Sequence, residues 1–208
     1  APVTTRTPGL NAGDPAPAMR GAGKTPTQLR EKHSGPAAAA QPRMTPAQTS
    51  DAAAFRRNFE QNRARYDAVA QKTNMPAELV AALHWRESSG NFNTYLHQGD
   101  PLGKPAVHVP RNIPVFHRWE DSAVHALGQK AGYQQALGLT RDSTDKGSMA
   151  AYAELYNGLG YHYRGRPSPY VYSGTDKYSS GKYVRDGVYD PNTVDRQLGV
   201  LALMQSLR

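Results

Sequence analysis

Large apolar residues are sparse over residues 1–49, where Val3, Leu10, Met19, Leu29 and Met44 interrupt a background rich in Pro, Ala, Thr and Gly. From Ser50 onward they become periodic. Phe55, Phe59, Asn62, Tyr66 and Val69 recur at spacings of four and three, which predicts a first helix with Asp51 as its cap. Met75 to Ser88 repeats the period through Leu79, Val80 and Leu83. Pro76 there suits a first helical position, Glu78 the first turn and Gly90 the exit. Trp119, Ala123, Leu127 and Ala131 mark a third helix, and Met149, Tyr152, Ala153 and Tyr156 a fourth. Val194, Leu198, Leu201 and Gln205 predict a last helix, opened by a capping box formed by Asn192 and Asp195. The stretches 90–115 and 157–190 lack the period and read as long loops, which in a compact domain usually carry function. The pattern therefore predicts a mainly α domain over residues 50–208, preceded by a Pro/Ala/Gly-rich linker or surface arm over residues 1–49. That segment is too poor in apolar surface to offset its ordering entropy, so its removal is expected to cost little stability.

One polar residue breaks the pattern in an informative way. Glu87 lies four, seven and eight positions after Leu83, Val80 and Leu79, so its carboxylate falls on the apolar stripe of its helix. It also lies at the helix C-terminus, where burial and the negative end of the dipole both favour the protonated acid. A neutral carboxylic acid at a helix-to-loop junction, open to a cleft, is the proton donor that glycoside cleavage needs, because the leaving oxygen must be protonated as positive charge develops on the sugar.

The run Met75 to Gly90, with Glu87 followed by Ser88 and Ser89, resembles the catalytic helix of soluble lytic transglycosylases and goose-type lysozymes. About seventy residues on, Leu155-Tyr156-Asn157-Gly158-Leu159-Gly160 is similar to that family's Ala-Tyr-Asn-x-Gly-x-Gly motif. The resemblance covers roughly residues 50–208 and implies a lysozyme-like helical fold with long irregular loops. It also implies cleavage of the β-1,4 bond between N-acetylmuramic acid and N-acetylglucosamine in peptidoglycan, with Glu87 as the acid and Ser88, Tyr156 and Asn157 positioning sugar or acid. The Gly-Leu-Met-Gln segment that follows the transglycosylases' catalytic Glu is replaced here by Thr94 to Gly103, so a muramidase is expected ahead of a lytic transglycosylase.

Hydrolysis requires a group that holds water, and Asp100, thirteen residues after Glu87, has two readings: that role, or the shaping of an Asp-Pro turn. Glu120 and Asp121 are the next carboxylates, at positions that also suit the first turn of a helix. His84, one turn before Glu87, is expected to line the cleft. Tyr161 and Tyr163 open a Tyr-rich stretch, continued by Tyr170, Tyr172, Tyr178, Tyr183 and Tyr189, that also holds Arg164, Arg166 and Lys182. Such side chains offer flat faces and hydroxyls to a sugar, and two or three of the seven are expected to touch substrate.

Two further function classes stay open. A non-catalytic glycan-binding module would keep the aromatic loop without needing an acid at position 87. A zinc-dependent wall amidase would use His84, His97, His108, His117 and His125, whose spacing matches no known ligand pattern; no metal and no cofactor are expected.

The formal net charge of +8 favours an anionic partner, and charge alone does not choose among nucleic acid, membrane surface and bacterial wall. No nucleic-acid motif accompanies it, and Arg56, Arg57, Arg63 and Arg65 read as a solvated helix face. The absence of cysteine leaves no disulfide framework, and no stretch suits a membrane span. The chain is expected to be a monomer that meets peptidoglycan strands, with an immunity or inhibitor protein as a further partner in the case of a secreted antibacterial effector. A phage wall hydrolase is the other context, and in both the protein is delivered to the periplasm or cell wall.

Overall fold

The computed structural model describes residues 25–208. The earlier part of the expected N-terminal arm, with Val3, Leu10 and Met19, lies outside the described residues.

Among the described residues the chain is mainly helical, with one two-stranded hairpin. The elements are α1 (Thr25–Ala39), α2 (Pro46–Gln61), α3 (Arg63–Thr73), α4 (Ala77–Ser88), α5 (Trp119–Gly128), α6 (Ala131–Leu137), α7 (Lys146–Asn157), the short α8 (Gly160–Tyr163) and α9 (Pro169–Tyr172), β1 (Lys182–Arg185), β2 (Val188–Asp190) and α10 (Val200–Gln205). Two helices form the centre of the core. Every residue of α4 from Leu79 to Glu87 is buried, with α3, α10 and α2 packed around it. Residues Gly147 to Leu155 of α7 are likewise buried, beneath α1, α6, α9 and α10. No helix among the described residues is long and apolar enough to cross a membrane.

From Thr25 onward the segment expected as a linker or surface arm is a packed element. Thr25–Ala39 is a helix, and its buried residues Leu29, His33 and Ala37 recur every four positions to form one face laid on α7. One Leu is the only large apolar residue on that face, so composition concealed it. The docking is polar as well as apolar. His33 Nε2 meets Glu154 Oε1 of α7 at 2.9 Å, and its Nδ1 meets the Tyr172 hydroxyl of α9 at 2.5 Å. Lys32 Nζ donates to the same Glu154 oxygen at 3.2 Å. Burial alone would push the Glu154 carboxyl up; the hydrogen bond to His33 and the charge of Lys32 outweigh it and hold the carboxyl below its ordinary value.

Other boundaries also differ from the sequence reading. The first predicted helix is two, because Asn62 leaves helical geometry and donates its side-chain amide to Asn58 O at 2.9 Å. Thr45, not Asp51, caps α2, in a capping box with Gln48; Asp51 instead accepts from Trp85 Nε1 at 3.2 Å and ties α2 to α4. The helix predicted across Trp119 to Ala131 ends at Gly128 and is followed by the separate α6. Asn192 and Asp195 form no capping box: Asp190 caps the turn at Asn192 and Thr193, and Asp195 pairs with Arg86 at 3.2 Å. The last helix begins only at Val200. The loop predicted over 157–190 contains α8, α9 and the whole antiparallel hairpin of β1 and β2.

Candidate functional site

The C-terminal turn of α4 carries Glu87, and the chain leaves that helix through Ser89 at φ +54° and Gly90 at φ +76°. Gly90 is required there, because a Cβ would lie 2.7 Å from Asn58 Nδ2. Glu87 is 2 % exposed, as its place on the apolar stripe predicts, and the Tyr170 hydroxyl of α9 donates to its Oε1 at 3.0 Å. The Arg86 guanidinium lies 4.8 Å from the centroid of the Tyr170 ring. Burial this complete corrects the expectation that Glu87 opens directly onto a cleft.

Beside it runs the loop Tyr95 to Asp100. Gly99 passes so close that a Cβ on it would sit 2.6 Å from the Glu87 carbonyl oxygen. The same loop reaches α7, where the Tyr156 hydroxyl donates to Leu96 O at 2.5 Å. A cleft of about 410 Å³ opens next to it, lined by His97, Pro110, Lys130, Tyr156, Asn157 and Gly158 among others. The loop thus touches the Glu87 backbone at Gly99 and the Tyr156 hydroxyl at Leu96, while Tyr156 and Asn157 line the cleft.

His97 enters the cleft from that loop, and its Nε2 meets His125 Nδ1 at 2.8 Å. Burial, followed by the charges of His125 and Lys130, lowers its pKa to about 3, so it is neutral near pH 7. Its Nδ1 and the Asn157 Oδ1 are buried with no hydrogen-bond partner. Neither His97 nor Lys130 stood out in the sequence as a cleft residue; His97 sits in an aperiodic loop, and only Tyr156 and Asn157 carried a recognisable motif.

The other expected site residues are distributed differently. His84 does not line the cleft. It is fully buried, with Nδ1 on the Tyr66 hydroxyl at 2.8 Å and Nε2 on Asn91 O at 2.9 Å, among the rings of Tyr66, Phe92 and Trp119. Burial lowers its pKa to about 4, and it works as a neutral tether for the loop leaving α4. Ser88 is half-buried and donates to Asn91 O at 3.3 Å. Tyr161 is buried, and its hydroxyl accepts from Tyr183 N at 2.9 Å, so it anchors the hairpin instead of facing sugar. Tyr163 is 47 % exposed. Glu120 is ion-paired with Arg65 at 2.6 Å, and Asp121 is exposed on α5.

Asp100 has both carboxylate oxygens engaged. Oδ2 accepts from Val107 N and His108 N, each at 3.0 Å, and Oδ1 meets His108 Nδ1 at 2.6 Å. This geometry favours the turn-shaping reading, here on the scale of the whole 100–108 loop. Among the described residues no three His, Cys, Asp or Glu side chains are grouped as metal ligands. No family model, no curated protein and no solved structure matches this chain.

Proposed function

We propose that this chain cleaves the β-1,4 bond between N-acetylmuramic acid and N-acetylglucosamine in peptidoglycan, with Glu87 as the acid that protonates the leaving oxygen. The observation that carries the reading is the buried Glu87 at the end of α4, oriented by Tyr170, one short loop away from the Tyr156-Asn157 end of α7 and its cleft. A buried, oriented carboxyl group loses little freedom on meeting substrate, and one proton delivered at the glycosidic oxygen is the central demand of the reaction. With 2 % of Glu87 exposed, its cover must shift when glycan enters. Delivery to the bacterial periplasm or wall, by an antibacterial effector or a phage, belongs to the same proposal.

A second outcome of the same site has its own support. Water attack needs a group to hold the water, and the Asp100 oxygens are already occupied by the 100–108 loop. A lytic transglycosylase needs no such group: Glu87 protonates the leaving O4 as the C1–O4 bond breaks, the muramic acid's own C6 hydroxyl attacks C1, the Glu87 carboxylate takes that hydroxyl's proton, and a 1,6-anhydro end forms.

Digestion of purified sacculi followed by mass spectrometry tests both. Reducing ends identify a muramidase and 1,6-anhydro ends a transglycosylase. Glu87→Gln, which keeps the side-chain volume, should abolish product release. Residual lysis above about a tenth of the wild-type rate would correspond to a loss under roughly 1.4 kcal/mol of transition-state stabilisation and would refute the acid role.

A further inference from the structure

The hairpin β1–β2 has a small core of its own. Tyr161, Tyr183 and Tyr189 pack edge to face, with centroids 5.0 to 6.1 Å apart. Two exposed arginines from the α8 exit are fastened to it. Arg164 Nε donates to the Tyr183 hydroxyl at 2.9 Å, and its guanidinium carbon lies 4.8 Å from the Tyr189 ring centroid. Arg166 Nε donates to the Tyr189 hydroxyl at 3.0 Å. Neither guanidinium is paired with a carboxylate of the described chain.

Arg164 is therefore held through its Nε and its ring face and Arg166 through its Nε, while both residues stay exposed, which leaves their terminal nitrogens to act as forks. Exposed arginines normally lose rotamer freedom when they bind an oxyanion; these two have already lost part of it. Planar forks match carboxylates, which accept two parallel hydrogen bonds. Exposed Arg185 adds a third positive charge on the same hairpin. The position is informative too. Gly158 lines the cleft, α8 begins at Gly160, and Arg164 closes it, so the forks stand one short helix away from the cleft.

The geometry points to a carboxylate-binding dock at Arg164 and Arg166, which takes the free carboxylates of the peptides branching from a glycan strand while that strand occupies the cleft. The inference rests on the peptidoglycan reading for its partner, and on the fixed guanidinium forks for its chemistry. Peptidoglycan carries such peptides at regular intervals, so a strand in the cleft brings carboxylates past the hairpin repeatedly. An acidic protein would offer carboxylates without that link to the cleft.

Sedimentation with purified sacculi tests the dock without relying on cleavage. Native sacculi are compared with sacculi whose carboxylates have been converted to neutral amides, with wild-type protein and the Arg164→Gln/Arg166→Gln variant. The variant should bind native sacculi roughly three- to tenfold more weakly, the range for two solvent-exposed ion pairs. Amidation should weaken wild type by a similar factor and leave the variant nearly unchanged. Arg164→Lys/Arg166→Lys should recover part of the binding through charge without the fork. Because the arginines also brace the tyrosines, exposed Arg185→Gln supplies a milder version of the same loss. Equal binding of wild type and both glutamine variants to native sacculi overturns the dock. So does an undiminished difference between wild type and variant on amidated sacculi, which would assign the forks to a different anion or an acidic protein. If carboxylate-dependent binding holds while neither protein releases glycan products, the dock stands and the enzymatic reading falls; product release without such binding gives the reverse.

Discussion

His33→Ala removes a side chain that hydrogen-bonds α1 to both α7 and α9. In the folded protein His33 is 1 % exposed and Glu154 is fully buried, with the ring between the Glu154 carboxylate and the Tyr172 hydroxyl. A hydrogen bond to a charged group is worth roughly 1.5–3 kcal/mol net. A buried charge that loses its partner costs roughly 3–5 kcal/mol. Lys32 stays 3.2 Å from the same oxygen, but its side chain is 39 % exposed, so solvent screens much of its compensation. About 3 kcal/mol is therefore expected for His33→Ala, a fall in Tm of about 6–12 °C for a chain of this size. His33→Gln leaves an amide donor in reach of Glu154 and should cost about 1 kcal/mol. Thermal melts at pH 7 followed by circular dichroism measure both. A His33→Ala protein that melts within 3 °C of wild type would refute the reasoning, because α1 would then be a loosely attached arm after all. The same contacts reverse the expectation that residues 1–49 are dispensable: deletion up to residue 49 would strip His33 and Lys32 from Glu154.

Three further outcomes follow from the site. Acidification from pH 6.5 to 4.5 should lower Tm, because the unfolded chain protonates His84 near 6.5 while the folded chain resists until about 4, and His97 until about 3. Unfolding thus takes up protons across that window, and His84 alone accounts for a loss on the order of 2 kcal/mol by its lower end; a flat Tm profile would contradict its burial as a neutral group. Gly99→Ala should destabilise by more than about 1 kcal/mol and depress lysis, since φ is +84° there and the new Cβ would meet the Glu87 carbonyl; unchanged lysis would uncouple that loop from the acid. Asp100→Asn should keep sacculus lysis within about threefold of wild type if Asp100 only organises the 100–108 loop, and a loss beyond about a hundredfold would return it to a role in the reaction.

Much of the helical core was legible in the sequence because burial leaves a period. Leu79, Val80 and Leu83 located α4 and put Glu87 inside; Tyr152 and Ala153 located α7. Helix ends were less legible, since they depend on single polar choices. Thr45 and Asp51 are both plausible caps, and only the contact with Trp85 shows why Asp51 lies within the helix. α1 was missed because its face is built from Leu29, His33 and Ala37, and a histidine becomes a core residue only through partners more than 120 positions away. The candidate site was legible where a short motif carried it, at Glu87 and at Tyr156-Asn157. His84 was misread because its apolar-face position fits a cleft wall and a buried tether equally well, and Tyr161 because a tyrosine's amphipathic ring suits either a groove or a miniature core. The Tyr170 contact to Glu87 had no local signal at all, being 83 positions away.

The docking of α1 also sets an order of events. His33 is among the earliest of the described residues to be synthesised, yet its two partners lie 121 and 139 residues downstream. Until α7 and then Tyr172 have been made, the seat of α1 is incomplete, and alone α1 is a 15-residue helix interrupted by Pro36, of marginal stability in water. The loop that must close to seat it spans most of the domain, so this contact belongs among the late, slow steps of folding. A nascent or partly threaded chain therefore carries α1 unseated until α7 and α9 have followed, and His33 waits without its carboxylate for most of that time.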